Sequence, residues 1–429
     1  MDVILLNQSV LFKKCQVIDS KPVFLRKSTL RKPNMDLFDK INDTSSNYQK
    51  SLEVRKAGIY PYFHCLESRQ APEVIMEGKR RIMLGSNNYL GLTSEQEVID
   101  AGVAAIEKYG TGCSGSRFLN GTLDLHLELE QKLADFLHKD AAITFSTGFQ
   151  SNLGILSSIC TKGDYIICDR ENHASIYDGA KLSYAQMMRF FHNDMDSLER
   201  ILKKLGPDAP KLIVTDGVFS MSGDIANLPD IVDLAKKYNA RVMVDDSHGI
   251  GTVGEGGRGT ASYYGLEDEV DIIMGTFSKS FASLGGFGVA NATVIDYMKH
   301  MSRPFIFSAS LPPANAATAL AALECLVKHP QLKDQLHDIA AYLGSALEKR
   351  GVKYKKTETP IVPIYTTDRE TTLRIVRDLY DEGVFVNAVL PPATAENECL
   401  IRTSLMANVT RELVDEAADK IALVLSRYL

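Results

Sequence analysis

Five short apolar runs punctuate the middle of the chain: Ala141–Ser146, Tyr165–Cys168, Leu212–Thr215, Arg241–Val244 and Val270–Met274. Each is too short for a helix and is bounded by turn residues, so each reads as a buried strand. Between several of them lie stretches of helical periodicity, such as Ile231–Tyr238. Strands alternating with helices predict a mainly parallel sheet covered by helices on both faces, an α/β fold. Upstream, Val74–Leu84 reads as a hairpin around Glu77-Gly78-Lys79, and residues 95–108 as a helix stopped by Gly110. Thr122 is expected to cap a further helix, in which Leu125, Leu129, Leu133, Phe136 and Leu137 share one face. After Pro312-Pro313, Ala314–Val327 is rich in strong helix formers. From about residue 330 the order becomes helix, strand, helix, strand, with Pro360–Tyr365 and Val384–Asn387 as strands and Arg411–Arg427 as the last helix. The pattern therefore predicts a segment at 35–85, a large domain at 86–328 and a smaller α+β domain at 329–429.

Residues 36–57 are charged and helix-compatible, and Gly58-Ile59-Tyr60-Pro61 ends them. Residues 1–34 show no clear period, and Met35 opens Met35-Asp36-Leu37-Phe38, an alternative start. This stretch is expected to be an upstream extension or a loosely ordered arm, and it makes a poor signal peptide.

Composition changes this picture little. With 429 residues, 45% hydrophobic and 24% charged, the chain is an ordinary globular one of two to three domains. A net charge of −6 gives no general attraction to nucleic acid or to an anionic membrane. The seven cysteines are scattered with no CxxC pair, which favours reduced thiols in a cytoplasmic protein. No run reaches the roughly 18 apolar residues of a membrane helix.

Chemistry gathers where the predicted strands end, the edge at which open α/β sheets bind ligands. Thr147-Gly148-Phe149-Gln150 follows the first strand and opens a helical stretch, offering backbone N–H groups to an anion. Asn172-His173-Ala174-Ser175 follows the second, and Asp216-Gly217-Val218-Phe219-Ser220-Met221 the third. Asp245-Asp246-Ser247-His248 follows the fourth, and Thr276-Phe277-Ser278-Lys279-Ser280 the fifth. An aldehyde–pyridine cofactor needs a lysine for a Schiff base, a carboxylate for its ring nitrogen, phosphate donors and a group over the ring face. Each is present once. Two GxGxxG matches, Gly110–Gly115 and Gly249–Gly254, compete with this reading. A dinucleotide site needs a strand before the glycines and a helix opening within them. The first match follows a helix, and the second runs into Glu255-Gly256-Gly257-Arg258-Gly259, a poor helix former. Both are expected to be turns, which weakens the case for an NAD-dependent dehydrogenase.

The motifs Asn88-Tyr89-Leu90-Gly91, Gly115-Ser116-Arg117, Thr147-Gly148-Phe149, His173-Ala174-Ser175, Asp216–Met221, Asp245–His248 and Thr276–Lys279 resemble, in order and spacing, those of the α-oxoamine synthases. The resemblance covers roughly residues 50–429. It implies the aspartate-aminotransferase-like fold type I and an acyltransferase that condenses an amino acid with an acyl-CoA and loses CO2. It implies pyridoxal 5'-phosphate bound covalently at Lys279, with Asp245 on the pyridinium nitrogen. His248 and Ser220 are then expected at the ring hydroxyl and His173 over the ring face. Gly148, Phe149 and Thr276 are expected at the phosphate, joined by Ser308 from the second subunit of a homodimer, so that the site lies at a subunit interface. Arg402 is expected to engage the substrate carboxylate, with Asn88 as a second candidate. No metal is implied.

Within that family, Gly110–Thr122, Gly148–Asn152, Thr276–Ser280 and Asp381–Asn387 are most similar to soluble bacterial members that join L-serine to a long-chain acyl-CoA, the first step of sphingolipid synthesis. Asp245–His248 and Ser302-Arg303-Pro304 are closer to glycine-using ligases, and alanine-using oxononanoate synthases share most of the same residues. The longer stretches favour serine. Contact with a membrane surface is expected only for release of the product. A non-catalytic accessory subunit is disfavoured, because such subunits tend to lack the lysine present here as Lys279.

Overall fold

The computed structural model describes residues 36–42, 46–391, 394 and 398–429. The expected extension over 1–34 and the alternative start at Met35 lie outside these residues. The chain divides into two units, Met1–Gly58 and Ile59–Leu429. In the first, the charged stretch forms a 3-10 turn, Asp39–Asn42, and a helix, Asn47–Lys56, rather than one continuous helix. Ser46 caps that helix by accepting a hydrogen bond from the Gln49 N–H.

The described residues of the second unit form thirteen strands. β1 (Glu73–Met76) and β2 (Lys79–Met83) form the expected hairpin. β3 (Ala141–Phe145), β4 (Tyr165–Asp169), β5 (Gln186–Phe190), β6 (Lys211–Asp216), β7 (Arg241–Asp245), β8 (Ile272–Thr276) and β9 (Gly286–Ala290) form one sheet in the order β3-β9-β8-β7-β6-β4-β5. All five predicted strands are present, and β5 and β9 are additions. β5 is amphipathic and only partly buried, and β9, Gly286-Phe287-Gly288-Val289-Ala290, carries two glycines that mask its strand character. β9 alone runs antiparallel to its neighbours, wedged between β3 and β8.

β6 and β8 are buried along their whole length, as strands covered on both faces must be. One apolar layer, including Leu129, Leu133, Ile213, Val244 and Phe287, covers one face of this sheet. Another, including Ile155, Ile166, Val214 and Met243, covers the opposite face. The helix at 124–136 begins one turn position later than expected. Its end is closed by His126 Nδ1, which accepts the Leu123 N–H at 3.1 Å, while the Thr122 hydroxyl bonds to Arg117.

A smaller C-terminal domain follows. β10 (Ile361–Thr366), β11 (Val384–Phe385), β12 (Asn387–Val389) and β13 (Cys399–Ser404) divide between two small sheets, β10-β13-β12 and β1-β2-β11. The single strand expected over Val384–Asn387 is thus two strands in different sheets. The long helices Gln331–Lys349 and Arg411–Leu425 share an apolar cluster with β2, β10 and β13. Among the described residues no helix is long and apolar enough to cross a membrane, no cysteine is paired, and no group of three metal-ligating side chains occurs.

Candidate active site

The carboxyl ends of β3, β4, β6, β7 and β8 converge on a cavity of about 220 Å3. Its lining contains Gly148, Phe149, His173, Ser220, Asp245, His248, Thr276 and Lys279, eight of the eleven residues singled out from sequence. A larger cavity of about 760 Å3 lies at the opposite, amino-terminal edge of the same strands. Its basic groups are already committed, Lys211 to the Pro207 and Ala209 carbonyls and Arg241 to Asp271, so it offers no comparable chemistry.

Lys279 sits three residues beyond the end of β8, half-buried. Burial pushes its ammonium down to about 8, helped by Arg402 and opposed by Asp245 and Asp216. Asp245 closes β7 and is buried. Its Oδ2 accepts from Asn152 Nδ2 at 2.7 Å and its Oδ1 from the Ser247 N–H at 3.1 Å. Strand alternation turns its neighbour Asp246 away from the cavity. Asp246 instead binds the Thr260 N–H and hydroxyl, and burial raises its carboxyl to about 7. The pair Asp245-Asp246 is therefore one carboxylate for the site and one for the scaffold.

His173 stands exposed at the rim, its Nδ1 2.7 Å from Ser175 Oγ. Ser175 Oγ accepts from the same Asn152 amide at 2.8 Å, so its proton is directed to His173 and Asn152 ties His173 to Asp245. His248 is buried, and burial, with Lys279 and Arg402 beside it, holds its imidazole well below the ordinary value and hence neutral. Asp216, at the end of β6 beside Asp245 in register, also lines the cavity and accepts the His173 N–H at 3.2 Å. Burial and the Asp245 charge raise its carboxyl well above the ordinary range.

The turn after β3 is built from Thr147, whose side chain caps the helix Gly148–Ile159 through the Gln150 N–H at 3.1 Å. Among the described residues no protein acceptor takes the Gly148 or Phe149 N–H. A Cβ on Gly148 would lie 2.6 Å from Thr276 Oγ1, and one on Gly286 2.7 Å from the Gly148 Cα. Glycine at both positions is what lets the helix start approach the ends of β8 and β9.

Three predicted residues stand outside the cavity lining. Arg402, buried on β13, donates to the Ser220 carbonyl at 2.5 Å, Ser404 Oγ at 3.1 Å, Asn87 Oδ1 at 2.9 Å and the Tyr89 hydroxyl at 3.0 Å. Asn88 is turned to Thr93, with Nδ2 donating to Oγ1 at 2.7 Å, and Ser308 accepts from Gln150 at 2.6 Å.

A family model for aminotransferase class I and II matches residues 79–421. The chain belongs to that family. Among curated relatives, serine palmitoyltransferase of Sphingobacterium spiritivorum is 49% identical over 90% of this chain and 96% of its own. The 8-amino-7-oxononanoate synthase of Thermoanaerobacter pseudethanolicus is 42% identical over 88% and 96%. A solved serine palmitoyltransferase variant from S. paucimobilis with bound PLP–myriocin aldimine superposes with a TM-score of 0.88 at 37% identity, covering 92% of this chain and 99% of that one. The resemblance to α-oxoamine synthases is borne out, as is fold type I.

Membership in the family agrees with the glycine matches being turns. Gly110 ends a helix at φ 78°, and Gly249–Gly254 leads only into a 3-10 turn, Glu255–Gly257. Asn152, Ser175, Asp216 and Tyr89 escaped the sequence reading as site residues. Each sat inside or next to a quoted motif, but Asn152, Ser175 and Asp216 are small polar residues on helices or a strand, and Tyr89 reads as a core aromatic, so none has a signal of its own until its partners are located.

Proposed function

We propose that the chain is a pyridoxal-phosphate-dependent serine palmitoyltransferase, condensing L-serine with palmitoyl-CoA to 3-ketosphinganine, CoA and CO2. The observation that carries this reading is a lysine brought to about 8 at a cavity shared with a buried aspartate and two histidines, in a chain 46–49% identical to several serine palmitoyltransferases.

The residues present fit the cofactor. The space at Gly148 that a Cβ would fill, with unclaimed N–H groups at a helix start and the Thr276 hydroxyl beside them, suits a phosphate. Asp245 would keep a proton on a ring nitrogen, and His248 and Ser220 would meet a ring hydroxyl. When bound, pyridoxal phosphate supplies an electron sink for the pair released at the serine Cα.

Lys279, a base near neutrality, takes the proton from that carbon and later returns one at Nζ. His173 would cover the cofactor and, with Arg402, would hold the substrate carboxylate and so orient the Cα–H bond toward Lys279. The guanidinium of Arg402 suits that carboxylate as a planar fork. For this it must exchange one of its present partners for the substrate. Asn88 is the secondary candidate.

The active unit is a homodimer. Ser308 lies on the segment that carries Phe307, 74% exposed, and Ser310 of that segment bonds Gly115, near Leu119, 78% exposed. Such an apolar rim suits a subunit contact, through which Ser308 of the partner subunit approaches the phosphate.

CoA release measured across serine, glycine, alanine and cysteate, each with short and long acyl-CoA, tests the reading. Serine with palmitoyl-CoA is expected to be fastest, and glycine with acetyl-CoA outrunning it would overturn the choice of substrate. Gly148→Ala is expected to weaken cofactor binding at least about tenfold, because its methyl displaces Thr276. Fluorescence titration of the cofactor-free protein reads that loss, and unchanged affinity would remove the phosphate from this turn.

A further inference from the structure

Tyr89 is wholly buried and outside the lining of the 220 Å3 cavity, and yet it bonds both His248 of that lining and Arg402 behind it. Its hydroxyl lies 2.7 Å from His248 Nδ1 and 3.0 Å from Arg402 Nη2. A guanidinium can only donate, so the Tyr89 oxygen accepts from Arg402 and keeps one proton of its own to place. Two acceptors are in reach, His248 Nδ1 at 2.7 Å and Asn87 Oδ1 at 3.5 Å. The second is long and already accepts from Arg402 at 2.9 Å. Burial, with Arg402 opposing, raises the Tyr89 hydroxyl above its ordinary value, so the proton stays on the phenol.

We infer that Tyr89 is a positioning residue which, oriented by Arg402, donates to His248 Nδ1 and so fixes the histidine as the neutral Nε2–H tautomer facing the cavity. The alternative tautomer would give Tyr89 two donors and push its own proton onto the 3.5 Å contact. No protein group among the described residues bonds His248 Nε2, whose ring lines the cavity. The result is a fixed N–H donor aimed at whatever oxygen occupies that wall, which under the reading above is the ring hydroxyl of pyridoxal phosphate. The same hydroxyl joins Arg402, the carboxylate-binding candidate, to His248, so a carboxylate that takes Arg402 Nη2 is felt at His248 through one shared atom.

This inference rests on the proposed function only for what His248 meets; the tautomer itself belongs to the protein. The decisive measurement is nitrogen NMR of histidine-labelled protein, with and without pyridoxal phosphate, His248 being assigned by its loss in His248→Gln. The expected wild-type result is an unprotonated Nδ1 and a protonated Nε2 in both states. Tyr89→Phe, which keeps the ring and its packing, is expected to release His248 into a mixture of tautomers. It should also lower kcat about tenfold and shift the cofactor's absorbance maximum, while Asn87→Ala leaves the tautomer alone. A wild-type His248 protonated at Nδ1, or one unmoved in Tyr89→Phe, would overturn the inference. If Tyr89→Phe does not fold, the wild-type spectrum alone still decides. A protein with the expected tautomer that fails to bind pyridoxal phosphate would instead sink the proposed function.

Discussion

Lys279→Ala is expected to lower kcat by roughly a thousandfold or more and to abolish the visible absorbance of the bound cofactor. No other amine lines the cavity, so no second side chain is available to hold the cofactor covalently. A variant that kept both colour and turnover would end the assignment. The same lysine makes a second prediction for the cofactor-free protein. Folding lowers its proton affinity from 10.5 to about 8, so between these values the unfolded chain binds more protons than the folded one. Stability contributed by this residue therefore rises with pH across that window, and below about pH 8 the cost of burying the ammonium is fully present. Thermal melts of Lys279→Met and wild type, both without cofactor, are expected to converge as pH climbs from 8 to 10.5. Curves that keep a constant separation would contradict the burial of this charge.

Glu130→Ala is expected to cost about 3–5 kcal/mol of stability. Glu130 is buried, taking Arg117 at 2.7 Å and 3.2 Å, Lys299 at 3.0 Å, and the Thr144 N–H and hydroxyl each at 3.0 Å. Burial works to raise its carboxyl, but Arg117 and Lys299 outweigh it and hold it below the ordinary range. Removing it leaves two cations facing each other, Arg117 in a dry interior, and a β3 N–H without its acceptor. Because β3 leads straight into Thr147-Gly148, cofactor affinity should fall along with the denaturant midpoint. Urea unfolding with and without pyridoxal phosphate measures both. A loss below about 1 kcal/mol would mean that water enters and solvates the two cations.

Glu130 also marks where reading the sequence stops. The strand ends and their hydroxyls, histidines and aspartates follow a local grammar, and eight of the eleven predicted site residues do share one cavity. Arg117 was visible as part of Gly115-Ser116-Arg117, but its partner 13 residues away on a helix carries no mark that separates it from a solvated glutamate. β9 was hidden by Gly286 and Gly288, and β13, which holds Arg402, escaped the sequence reading as a strand. Asn88, named from its motif as a second candidate for the substrate carboxylate, has its side chain turned to Thr93, an orientation the motif does not announce. Patterns of period and spacing report which segments end near one another. They do not report which way a polar side chain faces once two buried partners compete for it.

The antiparallel strand wedged between β3 and β8 has a consequence for how the molecule comes into being. Phe145 pairs with Gly286, so the wall that carries the Gly148 turn and the wall that carries Lys279 are joined only when a strand from far along the chain has been laid between them. Such non-local closure is slow, since the entropy of a long loop is lost before the contacts that repay it form. On the ribosome, a chain halted before residue 286 holds both Gly148 and Lys279 yet lacks the strand that sets their spacing. Pyridoxal phosphate is then a ligand of the finished sheet. It rewards completion and cannot guide the early steps of folding.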